Sequence, residues 1–77
     1  MSAINRVVVG GIEVPPHLVN NNCVQDAAHR LGYAIRMGFT DEYVAMRRQN
    51  LRTWIAVAER AAEVEARWRA EALEVQS

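Results

Sequence analysis

Residues 40–77 read TDEYVAMRRQNLRTWIAVAERAAEVEARWRAEALEVQS, with no glycine or proline anywhere in the stretch. Alanine, glutamate, arginine and leucine dominate, and all are strong helix formers. The stretch predicts one helix over residues 40–76. Thr40 caps it by accepting a hydrogen bond from a free N–H of the first turn, and Asp41 and Glu42 suit its positive end. At 1.5 Å per residue, about 36 residues extend roughly 54 Å. Little chain remains upstream to cover such a rod, so its length predicts surface left over.

The apolar pattern changes along this helix. Between residues 43 and 62 it is wide, with Tyr43, Val44, Met46, Leu51, Trp54, Ile55, Val57, Ala58, Ala61 and Ala62. A sector that broad meets an upstream helix and something else together. Beyond Ala62 it narrows to a stripe that continues the three-four spacing of Trp54 and Val57 through Ala61, Val64, Trp68 and Val75, broken near Glu71 and Ala72. This is the spacing of a coiled-coil seam. Glu63–Arg67 and Glu65–Arg69 flank it at i, i+4 in the favourable order. Trp54 is expected mainly in the protomer core, whereas Trp68, beyond the reach of the first helix, is expected between copies. Trp54, Val57, Ala61, Val64, Trp68 and Val75 are therefore the expected self-association residues, tryptophan being enriched in binding hot spots.

Upstream, Gly38 stands where a left-handed helix terminus belongs, with Phe39 able to fold back on the last turn. A first helix over residues 20–38 repeats Val24, Ala27, Ala28, Leu31, Ala34 and Ile35 on one face, capped by Asn20, Asn21 or Asn22. The short connection makes the two helices antiparallel neighbours. Residues 4–14, Ile-Asn-Arg-Val-Val-Val-Gly-Gly-Ile-Glu-Val, read as two short β runs around a Gly-Gly turn, or else as one extended arm. Pro15 and Pro16 end that segment. The fold class expected is mainly α. A short N-terminal β hairpin or extended arm (1–19) precedes an antiparallel two-helix hairpin (20–38, 40–76) whose long C-terminal helix protrudes and pairs as a coiled-coil-like homo-oligomer. Residues 1–77 make a single small domain.

A 77-residue chain buries only about 60% of its unfolded surface, so small domains of this size lean on disulfides, metals or oligomerisation. Cys23 is the sole cysteine. His17, Cys23 and His29, with five residues between successive members, fit no zinc pattern. No metal or cofactor is expected, and a homodimer or higher assembly is. The N-terminus does not resemble a signal peptide, and no apolar run approaches the roughly 20 residues of a membrane span. With a free cysteine, a soluble, cytoplasmic protein is the expectation.

The formal charge is zero, carried by nine arginines and no lysine. Residues 1–52 hold six arginines and four acids, for +2, and residues 53–77 hold three and five, for −2. That polarity favours antiparallel contact between copies, weakened by screening over roughly 8 Å at physiological salt.

Candidate chemistry is sparse. Ser2 and Ser77, at the two ends, are the only serines, and Cys23 and His29, six apart, are out of line on a helix. Asp26 and His29 are placed for a local hydrogen bond. No catalytic residue is assigned, and the chain is read as no enzyme. Gly10-Gly11 lacks the rest of a nucleotide-binding fingerprint. Arg47, Arg48 and Arg52, with Gln49 and Asn50 between them, offer side chains of the kind that read base edges, but phosphate binding scales with the number of charges neutralised and the chain is neutral. If the cluster binds anything, an acidic protein partner is expected ahead of nucleic acid. The interleaved acids also disfavour a membrane surface. The expected function is that of a non-enzymatic small interaction protein which binds itself and modulates or inhibits a larger protein machine, in the manner of small phage and mobile-element accessory proteins. The alternatives are a nucleic-acid-binding transcriptional regulator centred on the three arginines, and a small-ligand-binding oligomer with pockets near the hairpin and residues 20–22.

Overall fold

The computed structural model describes residues 6–76, with side chains through residue 74. In chain order these form β1 (Val7–Val9), β2 (Ile12–Val14), a 3-10 turn (Pro16–Leu18), α1 (Asn22–Arg36) and α2 (Asp41–Gln76). The molecule measures 57 × 33 × 15 Å, its long axis matching the length of α2. Ile4 and Asn5, expected in the first strand, lie outside the described residues.

The N-terminal segment is a hairpin and not a single arm. β1 and β2 run antiparallel with Val9 opposite Ile12 and Val7 opposite Val14. The two residues between them, Gly10 (φ 56) and Gly11 (φ 81), both take positive φ, as a tight primed turn demands. Opposed residues share a face, so Val7, Val9, Ile12 and Val14 point inward while Val8 and Glu13 point out, Glu13 pairing with Arg6 at 2.8 Å. A two-stranded ribbon is marginal alone. Here it rests on both helices, with the turn tip seated between them. The Gly10 carbonyl accepts a hydrogen bond from Arg48 Nε at 2.9 Å. Arg48→Ala should cost about 1–2 kcal/mol in urea unfolding, because a charge-assisted bond is lost and a half-buried carbonyl is left unpaired. Arg52→Ala, one turn on and exposed, should stay within about 0.5 kcal/mol of the parent.

The helix ends are set locally. Asn21 caps α1, its Oδ1 accepting from the N–H groups of Cys23 (3.0 Å) and Val24 (3.1 Å). At the other end Gly38 takes φ 70, and the N–H groups of Gly38 and Phe39 reach back to the carbonyls of Ile35 (3.2 Å) and Ala34 (3.0 Å). This pair of bonds satisfies carbonyls that the helix itself cannot. Thr40 Oγ1 then accepts from Tyr43 N at 3.3 Å and opens α2. The reversal is complete within a few residues, which lays α2 antiparallel along α1.

The core lies where hairpin, 3-10 turn and helices meet. Ile12, Val14 and Leu18 join Val24, Ala27, Leu31 and Ala34 of α1 and Val44, Leu51 and Ala58 of α2. On α2 the inward stripe is narrow: Val44, Arg48, Leu51, Ile55 and Ala58, alternating four and three apart, with Arg48 and Ile55 half-buried. The expectation that Trp54 packs in the core is not met, since it is 42% exposed. Two features explain this. α1 offers alanine at two of its four buried positions, and the side of α2 facing it is filled by Val44, Leu51, Ile55 and Ala58, about 80° around the helix from Trp54. The hairpin, seated on the Arg48 side, supplies the bulk that the core needs from elsewhere. Glu65 and Arg69 pair as expected, whereas Glu63 meets Arg60 at 3.8 Å and not Arg67.

Candidate interaction site

α2 carries a second stripe, roughly 120° around from the first at the helical pitch of about 100° per residue. Trp54, Val57 and Ala61 on it are exposed, Val64 is half-buried, and Trp68 is 67% exposed. Val75 holds a later position, and its side chain lies outside the described residues. Cover from the rest of the protomer ends near Ala66, where His17 of the 3-10 turn lies beside Glu59, Ala62, Glu63 and Ala66. Residues 67–76 overhang by about 15 Å at 1.5 Å per residue. Exposed Leu73 belongs to this overhang.

The three arginines do not form one free cationic patch. Arg47 donates to the Tyr43 hydroxyl through Nε (3.0 Å) and Nη2 (2.7 Å), with its guanidinium carbon 5.0 Å from that ring's centroid. Arg48 is committed to the hairpin turn. Among the described residues only Arg52 of the three makes no hydrogen bond or ion pair. A helix face that looked solvated is thus partly structural, because the hairpin's landing place cannot be read from local spacing.

Sequence reasoning also missed an aromatic groove. Tyr33, Phe39 and Tyr43 stand edge to face in a row, with centroids 6.0 Å and then 5.1 Å apart. With His29, Arg30 and Arg47 they line a shallow depression of about 360 Å³ at the turn between the helices. Arg30 is held by Asp26 at 2.9 Å. The i, i+4 spacing of Tyr43 and Arg47 was a signal for part of this, but Phe39 reads locally as a cap residue only. A second, apolar cleft of about 190 Å³ lies between the hairpin and the start of α1, lined by Val7, Val14, Val19, Val24, Gln25 and Ala28. It sits where the ligand-binding alternative places a pocket, and it is smaller than the roughly 300 Å³ at which ligand sites begin.

Among the described residues no side-chain polar atom is buried without a partner, and no cluster of three His, Cys, Asp or Glu side chains could hold a metal. Cys23 is exposed on the first turn of α1, and Asp26 faces Arg30 instead of His29. Among the described residues no helix is long and apolar enough to cross a membrane. No protein-family model matches the chain, and no curated protein or solved structure is recognisably similar to it.

Proposed function

We propose that this chain is a non-enzymatic interaction protein that assembles with copies of itself through the free stripe of α2 and modulates or inhibits a larger, acidic protein partner. One observation carries the reading: Trp54, Val57 and Trp68 lie exposed on one stripe at seam spacing, outside the core and running past its end. Contiguous exposed apolar surface of this kind marks interfaces, and tryptophan contributes most when fully desolvated. The surface left for an outside partner is Arg52, together with the Arg30, Tyr33 and Phe39 side of the aromatic groove. A nucleic-acid regulator has less to draw on, since Arg48 is turned to the hairpin, the chain as a whole is neutral, and phosphate affinity grows with the number of charges neutralised.

Trp68→Glu tests the assembly. Placing a charge in the seam should weaken self-association in sedimentation equilibrium by about 100-fold, the scale of a lost hot spot. Helicity at low concentration should stay close to the parent's, because Trp68 touches nothing in the protomer core. A parent protein that sediments as a monomer at high concentration would end the reading.

A further inference from the structure

The stripe through Trp54, Val57, Ala61, Val64 and Trp68 steps alternately three and four residues. Continued by the same rule, it reaches Asn50 and then Arg47 on one side, and Glu71 on the other. Arg47 and Glu71 are the first charges met in each direction, and position 59 lies midway between them, twelve residues from each. The seam is therefore bounded by a cation at one end and an anion at the other.

We propose that two copies pair their α2 helices antiparallel about residue 59, with Arg47 of each copy meeting the partner subunit's Glu71. The proposal rests on the assembly reading above and names its geometry. Charge selects the direction. A parallel pair in register sets Arg47 against Arg47 and Glu71 against Glu71, and like charges juxtaposed at an interface disfavour association strongly. The antiparallel pair converts both contacts into opposite-charge pairs. Charge also selects the register, because sliding by a heptad breaks both pairs and sets either Glu71 against Trp54 or Arg47 against Val64, and an unpaired buried charge is strongly destabilising.

Packing selects the same arrangement. Antiparallel about residue 59, Trp54 faces Val64, Val57 faces Ala61, and Trp68 faces Asn50, so each large side chain meets a smaller one. Parallel in register, tryptophan meets tryptophan at two levels and Ala61 meets Ala61 between them, which crowds two layers and leaves a gap in the third. The antiparallel arrangement also lays the overhang, residues 67–76, along the partner's residues 42–51, so the part of α2 that its own protomer leaves bare is covered. The chain's charge runs the same way, +2 over residues 1–52 and −2 over residues 53–77.

Arg47 is prepared for this contact. Its Nε and Nη2 are held by the Tyr43 hydroxyl, which fixes the guanidinium and leaves Nη1 with no hydrogen bond among the described residues. Glu71 is exposed and makes no ion pair among those residues. One flanking feature works against the pairing: Arg60 approaches its own copy near the axis. Glu63, 3.8 Å from Arg60 on the same helix, offsets that repulsion in part.

The deciding variant is Glu71→Arg, in the overhang, where no packing of the protomer is disturbed. In sedimentation equilibrium it should raise the dissociation constant of the pair about 100-fold, since each dimer then holds two Arg–Arg contacts. The double variant Arg47→Glu/Glu71→Arg should restore association to within about tenfold of the parent, because both pairs are rebuilt with their signs exchanged. Arg47→Glu also removes the bonds to Tyr43, so a circular dichroism melt of the double variant at monomeric dilution checks its fold. A parent that dimerises while Glu71→Arg dimerises equally well overturns the antiparallel register and leaves the assembly reading standing. A folded double variant as weak as the single one overturns it too. A parent that never leaves the monomer overturns both.

Discussion

Leu51→Ala is expected to lower the free energy of unfolding by about 3 kcal/mol, the middle of the range for truncating a buried leucine. Leu51 is fully buried at the centre of the inward stripe of α2, in one cluster with Leu31 and Val24, the other large side chains with almost no exposure. Most of the core around it is alanine and valine, short side chains on rigid helices that cannot collapse into the vacated space. Small domains hold only some 5–15 kcal/mol in total, and a chain of this length sits at the low end, so the variant should be close to unfolding at physiological temperature. Trp54, three residues further on, gives the contrast. Being outside the core, Trp54→Ala should act through assembly alone. Urea melts at two protein concentrations separate the cases. Leu51→Ala should lower the midpoint at both, whereas Trp54→Ala should chiefly reduce its dependence on concentration. A Leu51→Ala midpoint equal to the parent's would contradict the placement of the core.

Gly10→Ala should cost about as much, for two separable reasons. The position has φ 56, where an L side chain pays roughly 1–2 kcal/mol. A Cβ there would also lie 2.9 Å from Leu31 Cδ2 and 3.0 Å from Ile35 Cδ1. Leu31 is fully buried and has nowhere to move, so the contact adds the roughly 1–3 kcal/mol typical of overpacking. Gly11→Ala pays the first cost without the second, since no atom lies within 4 Å of its Cβ position. The difference between the two variants in urea unfolding measures the contact between hairpin and helix directly. Equal destabilisation of both would mean that the turn tip does not press on α1.

The two variants mark the boundary between local and tertiary information. Positive φ at Gly10 and Gly11 was legible from a Gly-Gly pair between two valine-rich runs, because a two-residue turn is a rule about four consecutive residues. The same holds for Gly38 at the end of α1 and Thr40 at the head of α2, each acting within one helical turn, whereas the sequence narrowed the cap of α1 only to Asn20, Asn21 or Asn22. The continuity of α2 needed only the absence of breakers. The outward stripe was legible as well, because helical spacing alone puts Trp54, Val57, Ala61, Val64 and Trp68 in line.

What spacing left open is which side of α2 the rest of the chain occupies. Trp54 read as core because its sector is apolar, yet the core took only the narrow stripe through Val44, Leu51, Ile55 and Ala58 and left the indole outside it. Arg48 read as a surface cation, yet the hairpin landed on it and took its Nε for the Gly10 carbonyl, thirty-eight residues away. The row of Tyr33, Phe39 and Tyr43 exists only because the reversal at Gly38 brings the end of one helix against the start of the next. By itself the sequence determined the elements, their ends and the periodicity of their faces, since these follow from interactions a few residues apart. Only the tertiary structure decided which apolar face is filled and which arginine is free, because those depend on contacts between segments whose relative placement no local rule contains.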